Sequence, residues 1–166
     1  MSLDGQRLDA SRYQLVPRTL IFGFREDKVL LQRVPADRGA WAGRWNGIGG
    51  HVERGESAAM AARREFREET GLDLLAMRLA GEVIVDLGGS PGIGFSVFAA
   101  SVADGSPISG EEGELRWFSP DEAIQAPLVE DLPTLLPRVM ACLQGAAPFT
   151  AIYTYDQARK LTIQID

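Results

Sequence analysis

The sequence predicts a single α/β domain, and three observations support this class. The chain has 166 residues, of which 45% are apolar, and this is enough for one core in a domain of ordinary size. Short runs rich in β-branched and aromatic residues occur on both sides of one strongly helix-forming segment. No internal repeat or low-complexity tract interrupts this order. We therefore expect one domain over residues 15–166, after a loose lead-in of residues 1–14.

The first part of the domain is expected to form a β-hairpin followed by a loop. Residues 17–24 and 29–34 are typical of strands, with a turn at residues 26–27. Residues 35–44 are rich in Gly, Ala and Asp and predict a loop. The run Gly-Ile-Gly-Gly at residues 47–50 has too much glycine for an ordinary strand. It indicates backbone that lies close to a ligand or to a helix.

A helix is predicted for residues 58–70, most of which are strong helix formers. Ser57 is expected to cap its N-terminus, and Gly71 stands where a left-handed residue commonly ends a helix.

Three glutamates share one face of this helix. With about 100° between successive residues, Glu65, Glu68 and Glu69 fall within one turn. Their repulsion opposes helix formation by roughly 0.2–0.5 kcal/mol per pair. A hard dication such as Mg²⁺ or Mn²⁺ would turn it into attraction. Arg64, one turn before Glu68, can orient a carboxylate of the cluster. The alternative interpretation is a solvated charged face.

Five further strands are expected after the helix. Residues 74–87 and 93–102 predict a long antiparallel hairpin, and residues 115–118 a short strand. Residues 149–155 and 161–165 predict a closing hairpin, because both segments are rich in β-branched or alternating apolar residues.

Two helices are expected between these strands. Ser119 and Pro120 suit the N-cap and first position of one helix. Residues 133–143 predict the other, in which Pro137 can be accommodated only within the first turn. Cys142 lies in the apolar part of that segment and is expected to be a small buried hydrophobe.

Composition and charge exclude several classes of function. The net charge of −6 argues against a nonspecific nucleic-acid or anionic-membrane surface, because such surfaces are basic. Cys142 is the only cysteine, so no internal disulfide is expected, which suits a reducing cytoplasm. The N-terminus lacks a long apolar region, and the sequence has no run of about 18 apolar residues, so neither export nor membrane spanning is expected.

The glutamate-rich helix and its flanks match a known spacing, G-x5-E-x7-R-E-φ-x-E-E-x-G-φ, where φ is apolar. The matching residues are Gly50, Glu56, Arg64, Glu65, Phe66, Glu68, Glu69, Gly71 and Leu72. This stretch resembles the Nudix box, with Phe66 where the family more often has an aliphatic residue. The resemblance implies the Nudix fold, an α/β/α sandwich with a mixed central sheet. It also implies metal-dependent cleavage of a nucleoside diphosphate linked to another moiety.

The resemblance further assigns roles within the box. The implied metal ligands are the Gly50 carbonyl and the carboxylates of Glu65, Glu68 and Glu69. Glu56 and Arg64 would form a supporting ion pair. Glu68 is our choice for the general base, and Glu112, on the polar loop of residues 104–113, is the alternative. His51 is expected to have a surface or supporting role.

Similarity to the MutT-type enzymes that sanitise oxidised purine nucleoside triphosphates extends beyond the box, most closely at residues 43–50. Carried over by position, the base pocket would be lined by Thr19, Asn46, Trp117, Glu130 and Asp131. Trp117 offers a flat surface for stacking, and Asn46 offers both a donor and an acceptor to a purine edge. Glu130 and Asp131 can share a proton, because two close acids disfavour double ionisation.

The loop before Gly43 departs from these relatives, because it is slightly longer. Trp41 is the nearest aromatic residue to their stacking position, and Ala40 is the alternative alignment. Arg33 is a further candidate, as a phosphate clamp. Two other functions remain open: hydrolysis of another nucleoside diphosphate derivative, such as a sugar nucleotide or a dinucleoside polyphosphate, and nucleotide sensing without catalysis. The sequence leaves open whether the chain is a monomer or a homodimer.

Overall fold

A computed structural model describes residues 9–166, so the first eight residues of the predicted lead-in lie outside it. The strands are β1 (Leu15–Arg25), β2 (Lys28–Arg33), β3 (Trp45–Asn46), β4 (Leu74–Asp86), β5 (Gly92–Val102), β6 (Leu115–Phe118), β7 (Phe149–Tyr155) and β8 (Leu161–Ile165). The helices are α1 (Ala58–Thr70), α2 (Pro120–Gln125) and α3 (Leu132–Leu143), with a 3-10 turn at Gly39–Trp41.

The eight strands form one mixed sheet in the order β3-β2-β1-β5-β4-β7-β8, with β6 paired to β2. β1 pairs with β5, and β4 with β7, in parallel, and the other pairs are antiparallel. The three predicted hairpins, β1–β2, β4–β5 and β7–β8, are therefore confirmed. β1 begins two residues before the predicted strand because its parallel pairing with β5 starts at Leu15 and Gly92.

Helices cover both faces of the sheet. Alternation along β1 sends Ile21 and Phe22 to opposite sides. Ile21 packs in a core with Phe66 of α1, whereas Phe22 packs in a larger core with Leu135 and Val139 of α3. This arrangement confirms the expected α/β/α sandwich with a mixed central sheet. No helix within residues 9–166 is both long and apolar enough to cross a membrane.

The caps of α1 are those that the sequence predicts. The Ser57 side chain accepts a hydrogen bond from the backbone N–H of Met60 at 3.2 Å. Gly71 ends the helix with a φ of 72° in the left-handed region, which glycine adopts without strain. Phe66 is fully buried and anchors the helix on the sheet. Glu65 and Glu69 lie on a flank of α1 and are half-buried, whereas Glu68 is exposed.

The expectation for Pro137 was wrong. Helix α3 begins at Leu132, so Pro137 lies beyond its first turn, inside the helix. The helix tolerates it there because Pro137 is on the exposed side, while Leu135, Leu136 and Val139 are buried against the sheet. Water can solvate the backbone carbonyl that the missing N–H leaves free.

Candidate active site

A cavity of about 620 Å³ opens between the box and the ends of the central strands. One part, which we call the acidic end, is lined by Glu65, Glu68, Glu69 and Glu112. The other part, which we call the aromatic end, is lined by Phe95, Tyr153 and Tyr155 with Glu130 and Asp131. A cavity of this size is in the range that small-molecule sites occupy. It can therefore receive a ligand with an aromatic part at one end and a cationic or cation-bound part at the other.

Arg64 connects the acidic residues of the box. Its guanidinium donates to both carboxylate oxygens of Glu56, at 2.6 and 3.2 Å. It also donates to Glu65 at 2.9 Å, to Glu68 at 3.3 Å and to the His51 carbonyl at 3.1 Å. The hydrogen bonds from Arg64 lower the pKa of Glu56, and those to Glu56 and Glu65 raise the pKa of Arg64. Both groups therefore stay charged and hold one another in place.

The backbone at Gly50 lies directly against Glu65. A Cβ atom at this position would overlap the Glu65 carboxyl group, so glycine is required by contact. The Gly50 carbonyl accepts a hydrogen bond from the Thr19 backbone N–H at 2.9 Å, which fixes its direction. A carbonyl oxygen has a second lone pair, so this oxygen can also face a cation.

Glu69 is the most perturbed carboxylate of the acidic end. Burial, and after it the charges of Glu65, Glu112 and Glu68, raise the pKa of Glu69 to about 7, although a contact with the Gln32 side chain lowers it in part. One of its buried oxygens, Oε2, has no hydrogen-bond partner within residues 9–166. A buried acid of this kind among other acids is typical of a functional site.

The acidic end fits a divalent cation in its chemistry. Its donors are carboxylate oxygens and one backbone carbonyl, which Mg²⁺ and Mn²⁺ prefer. The unpartnered Glu69 oxygen and the close approach at Gly50 both suit such an ion. In the described part of the chain, no three acidic, His or Cys side chains converge closely enough to count as a metal cluster. Arg64 lies instead between Glu65 and Glu68 and neutralises part of their charge.

The aromatic end contains two acids that differ in burial. Asp131 is only 9% exposed, and burial, together with the neighbouring Glu130, raises its pKa. Glu130 is exposed, and its carboxylate accepts a hydrogen bond from the Tyr155 hydroxyl at 3.4 Å. Burial and the Asp131 carboxyl raise the pKa of Tyr153. A neutral phenol therefore lies beside an acid that is harder to ionise than usual.

The comparisons with known proteins agree with this geometry. The model of the NUDIX domain family matches residues 14–139. This chain belongs to the Nudix family. It is 35% identical over 129 residues to the oxidized purine nucleoside triphosphate hydrolase of Mus musculus. That alignment covers 75% of this chain and 81% of the relative. It is 36% identical over 127 residues to the CTP pyrophosphohydrolase of Escherichia coli K12, covering 75% of this chain and 90% of that relative.

The solved structures give the same family. The crystal structure of a mutator MutT protein from Bacillus halodurans superposes with a TM-score of 0.73 at 25% identity, covering 92% of this chain and 98% of that chain. The chain is thus a Nudix hydrolase, an enzyme that acts on phosphoanhydride bonds.

The structure of this Nudix hydrolase brings most of the sequence-predicted site residues to the cavity. Those that line it are Thr19, Trp41, Asn46, Gly50, Glu65, Glu68, Glu69, Glu112, Glu130 and Asp131, and His51 lies at its edge. Trp41 is in the 3-10 turn and 42% exposed, whereas Ala40 does not line the cavity. The Asn46 side-chain oxygen accepts from the Gly47 N–H at 2.8 Å, so part of its capacity serves the local turn.

Trp117 does not lie where the base-stacking prediction requires. It pairs with Leu30 in the sheet and faces the α1 side, outside the cavity. The Arg25 guanidinium lies 4.7 Å from the centre of its ring. The sequence match identified an aromatic residue at a strand end, but it could not identify the side of the sheet on which the ring lies. This position does not fit a role in stacking on the base.

Arg33 is also outside the cavity, which does not fit a phosphate clamp. Its Nε donates to the Gly43 carbonyl at 3.2 Å, and its Nη1 pairs with Glu114 at 3.4 Å. Its guanidinium carbon lies 5.9 Å from the ring centre of Trp45. Arg33 therefore ties two loops to the end of β2.

Sequence reasoning did not identify several residues that line the cavity: Arg18, Arg38, Phe95, Tyr153 and Tyr155. The sequence could have indicated Tyr153 and Tyr155, because residues two apart on a predicted strand share a face. It gave no indication of Arg38, because Arg38 lies in an irregular loop. Its guanidinium pairs with Glu112 at 3.3 Å across the acidic end.

Proposed function

We propose that this Nudix hydrolase uses Mg²⁺, with Mn²⁺ as an alternative, to convert a nucleoside triphosphate into a nucleoside monophosphate and pyrophosphate. The base that we propose is an oxidised purine of the 8-oxo-guanine type. One observation supports this proposal above the others: a single cavity contains both a carboxylate cluster and an aromatic pocket with two acids. These two ends suit the polyphosphate and the base of one nucleotide.

The choice of a purine triphosphate is supported by relatives. A mouse enzyme named for oxidised purine nucleoside triphosphates is similar to three quarters of this chain. The aromatic end also suits a purine, because base–aromatic stacking contributes about 1–3 kcal/mol per base. Asn46 and the two acids offer both donors and acceptors to a base edge.

The acidic end would hold the cation through the Gly50 carbonyl and through Glu65, Glu68 and Glu69. When bound, a divalent ion polarises a phosphoryl oxygen, acidifies an attacking water and offsets charge on the leaving group. Arg64 keeps Glu65 and Glu68 oriented through its hydrogen bonds. The phosphate chain of the substrate would lie along this end of the cavity.

Glu68 is the base that we propose, because its carboxylate is exposed and lines the cavity. It would take a proton from the water that attacks the β-phosphorus. The bond between that phosphorus and the oxygen bridging to the α-phosphorus then breaks, and the monophosphate leaves with the bridging oxygen. Glu112 is the alternative base. Each of the two carboxylates is paired with an arginine at 3.3 Å, Glu112 with Arg38 and Glu68 with Arg64.

A panel of nucleoside triphosphates with Mg²⁺ tests the proposal. We expect the wild type to release pyrophosphate, and Glu68→Gln and Glu69→Gln to reduce turnover by roughly 100-fold or more, in the range for lost acid–base groups. Glu111→Gln is the matched control, because Glu111 is an exposed neighbour of Glu112 that does not line the cavity. Near-normal turnover in both Glu68→Gln and Glu69→Gln would refute the assignment of these residues.

Product analysis separates this proposal from its alternatives. The similar E. coli relative is named for CTP, so a preference for CTP would move the assignment to a pyrimidine substrate. Cleavage of a sugar nucleotide or a dinucleoside polyphosphate in preference to any triphosphate would favour a different Nudix reaction. Tight nucleotide binding without metal and without turnover would favour a sensing module.

Two further proposals concern the chain as a whole. We propose that residues 15–166 act as one domain, which is consistent with the start of β1 at Leu15. We also propose a cytoplasmic location, which the single, buried Cys142 supports.

A further inference from the structure

Two consecutive acids at the start of α3 face two tyrosines on β7. Tyr153 and Tyr155 are two residues apart on this strand, so their side chains point to the same side of the sheet. The Tyr155 hydroxyl donates to Glu130 at 3.4 Å. The Tyr153 hydroxyl lies beside Asp131. The Asp131 carboxyl raises the pKa of Tyr153, and the Tyr153 hydroxyl lowers the pKa of Asp131, against the larger effect of burial. Each acid therefore has its own tyrosine.

The inner pair is closed to water. Tyr153 is 3% exposed and Asp131 is 9% exposed. The buried Tyr153 oxygen makes no hydrogen bond of ordinary geometry with any residue in 9–166. A buried hydroxyl without a partner is unfavourable, so a small movement of Asp131 toward it would be stabilising. Because its oxygen is closed to solvent, the Tyr153 hydroxyl can act on a ligand only through Asp131, although the Tyr153 ring lines the cavity.

The outer pair is more open. Glu130 is exposed, and Tyr155 is partly buried at the cavity wall. The Tyr155 hydroxyl occupies one oxygen of Glu130 and leaves the other one free. The two pairs thus differ in burial although the acids are adjacent in sequence. The inner acid is better suited to donate a hydrogen bond, and the outer acid to accept one.

We propose that Tyr153 and Tyr155 are specificity-determining positioning residues, which hold Asp131 and Glu130 so that the two acids present a fixed donor and acceptor to a nucleobase. This inference rests on the proposed nucleotide hydrolysis and adds to it the residues that set base preference. The ligand that fits is a base with an acceptor and a donor on one edge, as purines with an exocyclic amine or a lactam have. A pyrimidine, with its smaller ring, would reach these two acids less well.

Substitution of each tyrosine by phenylalanine tests the inference, since only the hydroxyl is lost. We expect Tyr153→Phe and Tyr155→Phe to raise KM for 8-oxo-dGTP or dGTP about tenfold, as for the loss of one hydrogen bond, with kcat nearly unchanged. The KM for dCTP should change little, so the ratio of kcat/KM between purine and pyrimidine should fall. Tyr13→Phe is the matched control, because Tyr13 is the third tyrosine and does not line the cavity.

A double-mutant cycle separates positioning from a general effect on packing. If Tyr153 acts through Asp131, then Tyr153→Phe should have little further effect on KM in an Asp131→Asn background. A merely structural hydroxyl would lower Tm and change kcat/KM equally for all triphosphates. Should the buried Tyr153→Phe variant fail to fold, the cycle between Tyr155→Phe and Glu130→Gln decides in its place, because this pair is more exposed.

Binding of the monophosphates 8-oxo-dGMP, dGMP and dCMP, measured by calorimetry, distinguishes the two proposals. If no triphosphate is hydrolysed but the monophosphates bind with a preference that depends on the tyrosines, the proposed reaction fails and this inference stands. If triphosphates are hydrolysed and both tyrosine variants keep the wild-type base preference, this inference is overturned. If no nucleotide is bound or hydrolysed, both are overturned.

Discussion

Arg64 and Glu56 form a two-point ion pair, with Nη2 and Oε1 2.6 Å apart and Nε and Oε2 3.2 Å apart. The Oε1 atom of Glu56 also accepts a hydrogen bond from the Glu53 backbone N–H at 2.7 Å, so the loop before α1 is fixed to the helix. The remaining nitrogen of Arg64 points to Glu65 and Glu68. One guanidinium therefore positions Glu65 and Glu68, two of the residues that the box assigns to the metal.

Arg64→Lys should keep the charge and lose this geometry. A lysine ammonium cannot form the planar two-point pair with Glu56 and still reach Glu65 and Glu68. We expect kcat to fall by about 10–100-fold, as is typical when a group that orients metal ligands is lost. Steady-state pyrophosphate release with Mg²⁺ measures the effect. Arg63→Lys is the neighbouring control, since the one side-chain hydrogen bond of Arg63 within residues 9–166 goes to the Leu74 carbonyl. Equal loss in both variants would contradict the assignment.

Gly50→Ala should disturb Glu65 by contact alone. The added methyl group would overlap the Glu65 carboxyl group, which must then leave its place beside Arg64. Because this carboxyl is the end of a flexible side chain, we expect a loss of Mg²⁺ affinity larger than the loss of stability. Magnesium titration by calorimetry and a thermal melt measure the two effects. Gly89→Ala is the control, because a Cβ there meets no atom within 4 Å. Unchanged Mg²⁺ affinity in Gly50→Ala would argue against this site.

The sequence predicted features that depend on local structure. Ser57, Gly71 and the periodicity between them predict α1 because capping and helix propensity act within a few residues. The cluster of glutamates at the acidic end could then be predicted from the helix, since residues one turn apart on a helix must be neighbours. Pro137 was misplaced because the extent of α3 depends on burial of its apolar side, which no local pattern reports.

The rest of the site depends on relations between distant strands. Trp117 and Arg33 lie at strand ends near the predicted site, yet neither side chain reaches the cavity. The side of the sheet on which a strand-end residue lies depends on register, and a shift of one residue reverses it. Tyr153 and Tyr155 reach the cavity only because β7 pairs in parallel with β4, a long-range contact. Such pairings could not be assigned from the sequence alone.

The unfolding free energy of Asp131→Asn, relative to that of the wild type, should increase as the pH rises. Burial raises the pKa of Asp131 in the folded state, so the folded protein binds this proton more tightly than the unfolded chain. The Asp131 side chain therefore contributes most to the free energy of unfolding below the pKa that it has in the unfolded chain. This contribution is lost as the pH rises through its pKa in the folded protein. The amide of asparagine does not titrate in this range.

Urea unfolding at several pH values between about 3.5 and 7.5 measures this difference. The unfolding free energy of Asp131→Asn minus that of the wild type should increase over this range. Asp104→Asn, in an exposed loop, is the control and should show a flatter difference. A difference for Asp131→Asn that falls with pH would mean that the folded protein favours the ionised carboxylate.

Pro137→Ala should stabilise the protein. Alanine restores the backbone N–H inside α3 and removes the clash of the proline ring with the preceding turn, and Pro137 lies on the exposed side, so no core packing is lost. The gain of about 3 kcal/mol is offset by about 0.4–1 kcal/mol from the greater freedom of the unfolded chain, which leaves roughly 2 kcal/mol.

Pro133→Ala is the matched control for this change, because Pro133 lies in the first turn of the same helix, where proline loses no hydrogen bond. It should give no gain, or a loss of about 0.4–1 kcal/mol from the unfolded chain alone. Urea unfolding at one pH, with equal m-values for both variants, measures the two effects. If Pro137→Ala were no more stable than Pro133→Ala, the helix would already have relaxed around Pro137, and the missing N–H would leave no unfavourable contact in α3.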